Sequence, residues 1–69
     1  MIIDHYAAYL AARDIPYSQP SPDTLQLHSP NPTLVIISPS GIVTVKDGEK
    51  IEQFPYQSVE KMHEKIEKL

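Results

Sequence analysis

The sequence of 69 residues predicts a small α+β domain: a helix, then a meander of three or four antiparallel strands, then a second helix. Apolar residues recur at helical spacing near both ends of the chain, which indicates two amphipathic helices. The stretch between Thr24 and Val45 contains no Asp, Glu, Lys or Arg, and its β-branched runs are typical of buried strands. The length allows a single domain over residues 1–69, and we expect both helices on one face of the sheet.

The first helix is predicted from Ile2 to about Arg13, where large side chains recur three and four positions apart. The Ile15-Pro16 pair ends it, because the residue before a proline is pushed out of the helical region. Residues 16–23 are rich in proline and serine, and they are predicted to form a stiff loop.

Four segments bounded by turn residues are predicted as strands, the last of them short and at an edge: residues 24–28, 33–37, 42–46 and 49–54. The Asp47-Gly48 pair separates the last two segments and is a strong signal for a two-residue hairpin loop. Lys50 and Glu52 are expected to protect the free edge of the final strand.

Pro55 is predicted to begin the second helix. Its apolar positions form a narrow stripe, predicted to pack on the sheet rather than to form a dimer seam: Val59, Met62, Ile66 and Leu69. Because both helices cover one face, the other face is left partly open. Either Val35 and Ile37 or Leu34 and Ile36 must then point towards that open face.

The composition excludes several functional classes. Without cysteine the chain forms no disulfide, thiolate nucleophile or zinc–thiolate site. The net charge of −3 gives no overall basic footprint for nucleic acid. The longest apolar run, Leu34 to Ile37, is far shorter than a membrane span, and the N-terminus lacks the pattern of a secretory signal. These features predict a cytoplasmic protein that does not enter a membrane.

No pattern of residues indicates catalysis or a bound metal. His5, His28 and His63 do not have the spacing of a metal-binding pair on one helix or strand. Ser38 and Ser40 lie in a turn without the flanking glycines of a nucleophile elbow, and two glycines are too few for a phosphate-binding loop. We therefore expect no enzyme activity, no cofactor and no metal.

Tyrosine is the residue type that points to binding, because it is frequent at interface hot spots. The candidate partner-binding residues are Tyr6, Tyr9, Tyr17, Tyr56 and Lys50. Tyr6 and Tyr9 also suit a helix side that packs on the sheet, so both interpretations stay open for them. The sequence favours a small non-enzymatic protein-binding or assembly module. It would occupy the surface of another protein, or of a second copy, as a regulator, an inhibitor or a homodimer.

The alternative is a nucleic-acid-associated regulator that uses the hairpin with Lys46 and Lys50 together with the C-terminal helix. The lysines are interleaved with acidic residues, and no aromatic side chains stand beside them for base stacking. Nucleic acid therefore ranks below protein as the predicted partner.

Two stretches resemble known families. Residues 32–37, followed by residues 41–43 and a terminal helix, resemble the last strand–strand–helix unit of thioredoxin-like proteins. The CxxC motif of that family is missing, so the resemblance implies no redox activity. The Asp47-Gly48 hairpin and the charged helix after it are similar to small phage head–tail joining proteins, which implies an assembly or inhibitor protein of the phage type.

Overall fold

The computed structural model describes residues 2–28 and 32–68 and shows a five-stranded antiparallel sheet with a helix at each end of the chain. The helices are α1 (Ile2–Ala12) and α2 (Val59–Glu67). The strands, in chain order, are β1 (Tyr17–Ser21), β2 (Thr24–Leu27), β3 (Thr33–Ile37), β4 (Ile42–Asp47) and β5 (Lys50–Pro55). Strands adjacent in the chain are adjacent in the sheet, so β1 and β5 form its two edges. The predicted α+β class and helix–sheet–helix order are confirmed.

The sheet has one strand more than the three or four predicted, because part of the expected loop at residues 16–23 is the edge strand β1. Tyr17 pairs with Leu27 and Ser18 with Gln26, after which a bulge shifts the register. Proline is compatible with this position because an edge strand uses only one side of its backbone in the ladder. The prolines therefore mark an interrupted edge strand rather than a loop.

The β4–β5 hairpin is offset by one residue from the predicted turn. Its two-residue loop is Gly48-Glu49 instead of Asp47-Gly48, and Asp47 pairs with Lys50. Gly48 has a φ of +64°, the positive value that the first loop residue of a type II′ turn requires. The observed register also lets Phe54 pack against the core.

Helix α2 begins at Val59, later than the predicted proline start. Ser58 is its N-cap, and the Ser58 hydroxyl accepts a hydrogen bond from the backbone N–H of Lys61 at 3.2 Å. Tyr56 does not join the helix, because its backbone N–H donates to the carbonyl of Gly41 at 2.8 Å and continues the β4–β5 pairing. Strand β5 thus lies between β4 and α2, which departs from the strand–strand–helix unit of thioredoxin-like proteins.

Helix α1 ends in a Schellman motif just before the predicted Ile15-Pro16 stop. Asp14 adopts a left-handed conformation with φ +56°. The backbone N–H of Asp14 donates to the carbonyl of Ala11, and that of Ile15 donates to the carbonyl of Leu10 at 3.0 Å. These two bonds define the motif, and they direct the chain out of the helix towards β1.

Both helices cover the same face of the sheet, as predicted. The core between helices and sheet is apolar and draws on both helices and the three central strands: Ile3, Tyr6, Leu10, Leu25, Leu27, Val35, Ile37, Val43, Val45, Met62 and Ile66. The predicted α2 stripe contributes Met62 and Ile66 to this core, whereas Leu69 lies outside the described residues.

The opposite side of the sheet, which we call the uncovered face, carries no helix. Val35 and Ile37 are buried under the helices, so Leu34 and Ile36 are the residues of β3 that point to the uncovered face. No helix within residues 2–28 and 32–68 is long and apolar enough to cross a membrane.

Candidate functional site

The two helices are joined by an aromatic cluster, which we define as Tyr6, Tyr9 and His63. The Tyr6 side chain is completely buried, and its hydroxyl lies 2.9 Å from Nδ1 of His63. Nε2 of His63 lies 3.6 Å from the carboxylate of Glu67, one helical turn later. The Tyr9 ring centroid lies 6.2 Å from that of Tyr6 and 5.2 Å from that of His63. The Arg13 guanidinium sits 3.7 Å above the Tyr9 ring.

The electrostatics of the aromatic cluster favour a structural role. Burial, with the nearby Tyr9 and Glu67, raises the pKa of the Tyr6 hydroxyl well above its ordinary value of 10.0. The hydroxyl therefore keeps its proton, and the tautomer of the His63 imidazole sets the direction of the hydrogen bond between the hydroxyl and Nδ1. A hydroxyl without exposed surface does not reach a substrate, so the cluster is suited to fixing α1 against α2.

The structure separates the four tyrosines that the sequence assigns to partner binding. Tyr6 lies in the core and offers no surface to a partner in this conformation. Tyr9 and Tyr56 are half-buried and line one open groove between α1 and the segment that leads into α2. Tyr17 is half-buried at the start of β1, at the opposite edge of the sheet from β5. The tyrosines therefore do not form one binding surface.

The lysines do not form a common basic surface either. Lys46 stands opposite Ile51 on the uncovered face, whereas Lys50 is one position along β5 and points to the helix-covered side. In α2, the ammonium of Lys68 is paired with the carboxylate of Glu64 at 3.1 Å. The two lysines of the hairpin are thus on opposite sides of the sheet, and the ammonium of Lys65 in α2 lies 4.7 Å from the ring centroid of Phe54 on the covered side.

The two remaining histidines lie apart from the aromatic cluster. Nε2 of His28 lies 3.0 Å from the hydroxyl of Ser18, across the β1–β2 pair. His5 is exposed on α1. Among the described residues, no group of three or more His, Asp or Glu side chains could hold a metal ion.

The free edge of β5 is open to a further strand. The bond from Tyr56 N–H to the Gly41 carbonyl fixes the pairing, so the even-numbered residues of β5 bond to β4. The backbone N–H and C=O groups of Ile51 and Gln53 therefore point away from the sheet. Pro55, the next outward position, has no N–H to offer. The Ile51 side chain is 62% exposed, more than Ile42, the other large apolar side chain exposed in the described part of the chain.

The apolar patch on the uncovered face is interrupted, because Lys46 stands between Ile51 and Leu34. Leu34 and Ile36 lie half-buried in the middle of this face, and Ile42 is 39% exposed at its end. The neutral polar residues of β2, β4 and β5 that share the face are Thr24, Gln26, Thr44 and Gln53. Lys46 brings a positive charge to the patch beside Ile51.

Two features of these sites were not predicted from the sequence. Tyr6 and His63 are 57 positions apart, so their hydrogen bond depends on how both helices settle on the sheet. The outward backbone of Ile51 and Gln53 depends on the hairpin offset, because the predicted loop turns Lys50 outward instead. The preference of a type II′ turn for glycine at its first loop position was the available clue.

Comparison of the chain with protein-family models, with curated proteins and with solved structures gives no match. We therefore infer function from the molecule's own features: the β5 edge, the uncovered face and the aromatic cluster. Of these, the β5 edge has backbone groups that a second chain can satisfy directly.

Proposed function

We propose that this protein is a non-enzymatic module that binds another protein chain along the free edge of β5. The partner adds a strand to the sheet, so its main chain bonds to the outward N–H and C=O groups of Ile51 and Gln53. Alternate side chains of the added strand then lie on the uncovered face, beside Ile51 and Gln53 of β5. The protein acts by occupying that segment of its partner or by completing an assembly.

The observation that carries this proposal is the exposed Ile51 at the centre of an unpaired edge. Natural sheets usually protect such an edge with charge, proline, a bulge or a covering element. In β5 these devices are limited to Lys50 and Glu52, which flank Ile51 on the helix-covered side, and to Pro55 at the end of the strand. Ile51, at the centre of the strand, has outward backbone groups and an exposed apolar side chain, and this combination favours pairing with another chain.

The proposal is tested by changing one backbone N–H. In Gln53→Pro the outward N–H is lost while no bond to β4 is removed. Gln53→Ala is the matched control: like the proline variant it loses the 3.2 Å side-chain bond to Thr44, but it keeps the N–H. The tagged full chain and both variants serve as baits in lysate from the native cell, with and without nuclease.

We expect the wild type and Gln53→Ala to capture the same stoichiometric protein chain after nuclease treatment, and Gln53→Pro to lose it. The captured chain is either a different protein or an untagged copy of the bait, which the native lysate also contains. Equal capture by all three baits, or by none, contradicts the proposal. Capture that depends on nucleic acid favours the alternative regulator. That result is not the expected one, because Lys46 and Lys50 lie on opposite faces of the hairpin and do not form one basic surface.

A further inference from the structure

We infer that the chain paired with β5 is a second copy of this protein, joined antiparallel about a two-fold axis that passes through Ile51. The inference rests on the proposed function and names its partner. Two five-stranded sheets then become one continuous ten-stranded sheet, with the two β5 strands at its centre. A two-fold contact of this kind uses the same surface on both copies.

The backbone of β5 suits this pairing. Because the N–H and C=O groups of Ile51 point outward, two Ile51 residues facing each other exchange a pair of hydrogen bonds. Their side chains meet on the uncovered face, where apolar cross-strand neighbours stabilise a sheet. The pairing thus covers the most exposed large apolar side chain among the described residues.

The charges of β5 select the register. With Ile51 on the axis, Lys50 of each copy stands directly opposite Glu52 of the other. These are non-hydrogen-bonded pairs, the closer kind, with about 4.5 Å between Cα atoms. Within the described part of the chain neither Lys50 nor Glu52 has an ion-pair partner. Both charges are therefore available, and the symmetry forms two opposite-charge contacts from one sequence.

Neighbouring registers are less favourable. An axis at Glu52 places the two Glu52 carboxylates directly opposite each other, and like charges in that position are destabilising. An axis at Gln53 brings Pro55 opposite Ile51, where proline has no N–H to donate. The axis at Ile51 avoids both defects.

The uncovered face tolerates the same register. Lys46 lies beside Ile51 in β4, so the two Lys46 side chains are separated by three strand spacings, about 14 Å. That distance exceeds the Debye length of about 8 Å at physiological salt, which leaves little repulsion between them. A contact made by one strand edge buries less than a standard interface, so we expect a dissociation constant in the micromolar range or weaker.

The test is sedimentation equilibrium of the full chain at concentrations from micromolar to millimolar. We expect the wild type to dimerise. Glu52→Lys places two lysines opposite each other twice, and Lys50→Glu does the same with two glutamates, so each alone weakens the dimer about tenfold or more. Mixing the two variants restores opposite charges at both contacts, and we expect a heterodimer about as stable as the wild-type dimer.

Each result decides the question. Restoration on mixing supports the Ile51 register, because no other site couples these two residues reciprocally. A wild type that stays monomeric at millimolar concentration, or a dimer indifferent to both reversals, overturns the inference. A dimer lost in Ile36→Asp but retained in Glu52→Lys also overturns it and assigns the contact to stacked uncovered faces. If circular dichroism shows that a charge-reversal variant is unfolded, dimerisation of Gln53→Pro is compared with that of Gln53→Ala instead.

The failure of this inference is distinguishable from the failure of the proposed function. If the wild type is monomeric but captures a different protein through the Gln53 N–H, the partner is not a second copy. The β5 edge then remains the proposed binding site. A monomer with no capture at all removes both.

Discussion

The two edges of the sheet differ in how they treat their free backbone groups. Strand β1 has a bulge between Ser18 and Ser21 and contains Pro20, so its outer backbone is irregular. Strand β5 pairs with β4 without interruption from Lys50 to Pro55 and offers a regular row of outward groups. The first edge is built in the way that blocks an added strand. This small sheet therefore leaves one edge open and closes the other.

The helices that flank the two edges are tied to each other. Helix α1 leads into β1 and α2 follows β5, and the bond between the Tyr6 hydroxyl and His63 connects them. The two linked helices therefore fix the positions of β1 and β5 relative to each other from the covered side. No helix packs on the uncovered face within the described residues. Binding at β5 can then occur without rearrangement of the core, because neither Ile51 nor Gln53 belongs to it.

The largest expected effect is on the free energy of unfolding, and it distinguishes the N–H groups of β5 that face β4 from those that face away from the sheet. In Glu52→Pro the lost N–H is one that bonds to Val45, so a buried carbonyl is left without its partner and the free energy of unfolding falls by about 2–3 kcal/mol. In Gln53→Pro the lost N–H points outward, and we expect a fall below about 1 kcal/mol. Urea denaturation of the two variants at low concentration measures the difference. Equal losses would show that the assigned sides of β5 are wrong.

The second effect tests the tie between the flanking helices through pH. The pKa of Tyr6 is raised in the folded state, so the folded chain keeps this proton while the unfolded chain releases it above its ordinary value of 10.0. Stability from this group is therefore complete below pH 10 and is lost as the pH rises further. By pH 11 the loss is about 1.4 kcal/mol.

Tyr6→Phe is the matched control for this pH dependence. It gives up the hydrogen bond to His63 and costs about 1–2 kcal/mol at pH 7. Because it has no hydroxyl to titrate, its stability should decline less steeply than that of the wild type between pH 9 and 11. Parallel curves for the two proteins in urea denaturation would contradict the assigned protonation of Tyr6.

The local elements could be predicted from the sequence because their signals lie within a few residues. The apolar spacing of Ile3, Tyr6 and Leu10 indicates which side of α1 faces the sheet, and the structure buries all three. The β-branched run of β3 likewise predicts a central strand. In both cases the buried positions recur with the repeat of the helix or the strand, so the pattern can be recognised without knowing which distant residues they contact.

Other features depend on partners that the sequence does not identify. The prolines of residues 16–23 argue against a strand, yet pairing with β2 and a bulge accommodate them at an edge. The hairpin offset arises because glycine suits the first position of the type II′ loop. Of the predicted binding residues, Lys50 lies on the β5 edge and Tyr6 lies in the core, a distinction that requires both helices to be in place.

The smallest expected effect concerns the approach to the closed edge. Asp14 holds φ +56° at the end of α1, a conformation that glycine adopts without steric cost. It also places a negative charge at the negative end of the helix dipole. Asp14→Gly should therefore raise the free energy of unfolding by about 0.5–1 kcal/mol.

Asp14→Ala removes the charge but keeps the Cβ atom, so it should gain little or lose stability. Thermal unfolding at pH 7 compares the three proteins, and an equal gain in both variants would assign the effect to charge alone. Because the change lies next to β1 and far along the chain from β5, it should leave dimerisation through Ile51 unchanged, which keeps the two edges separable by experiment.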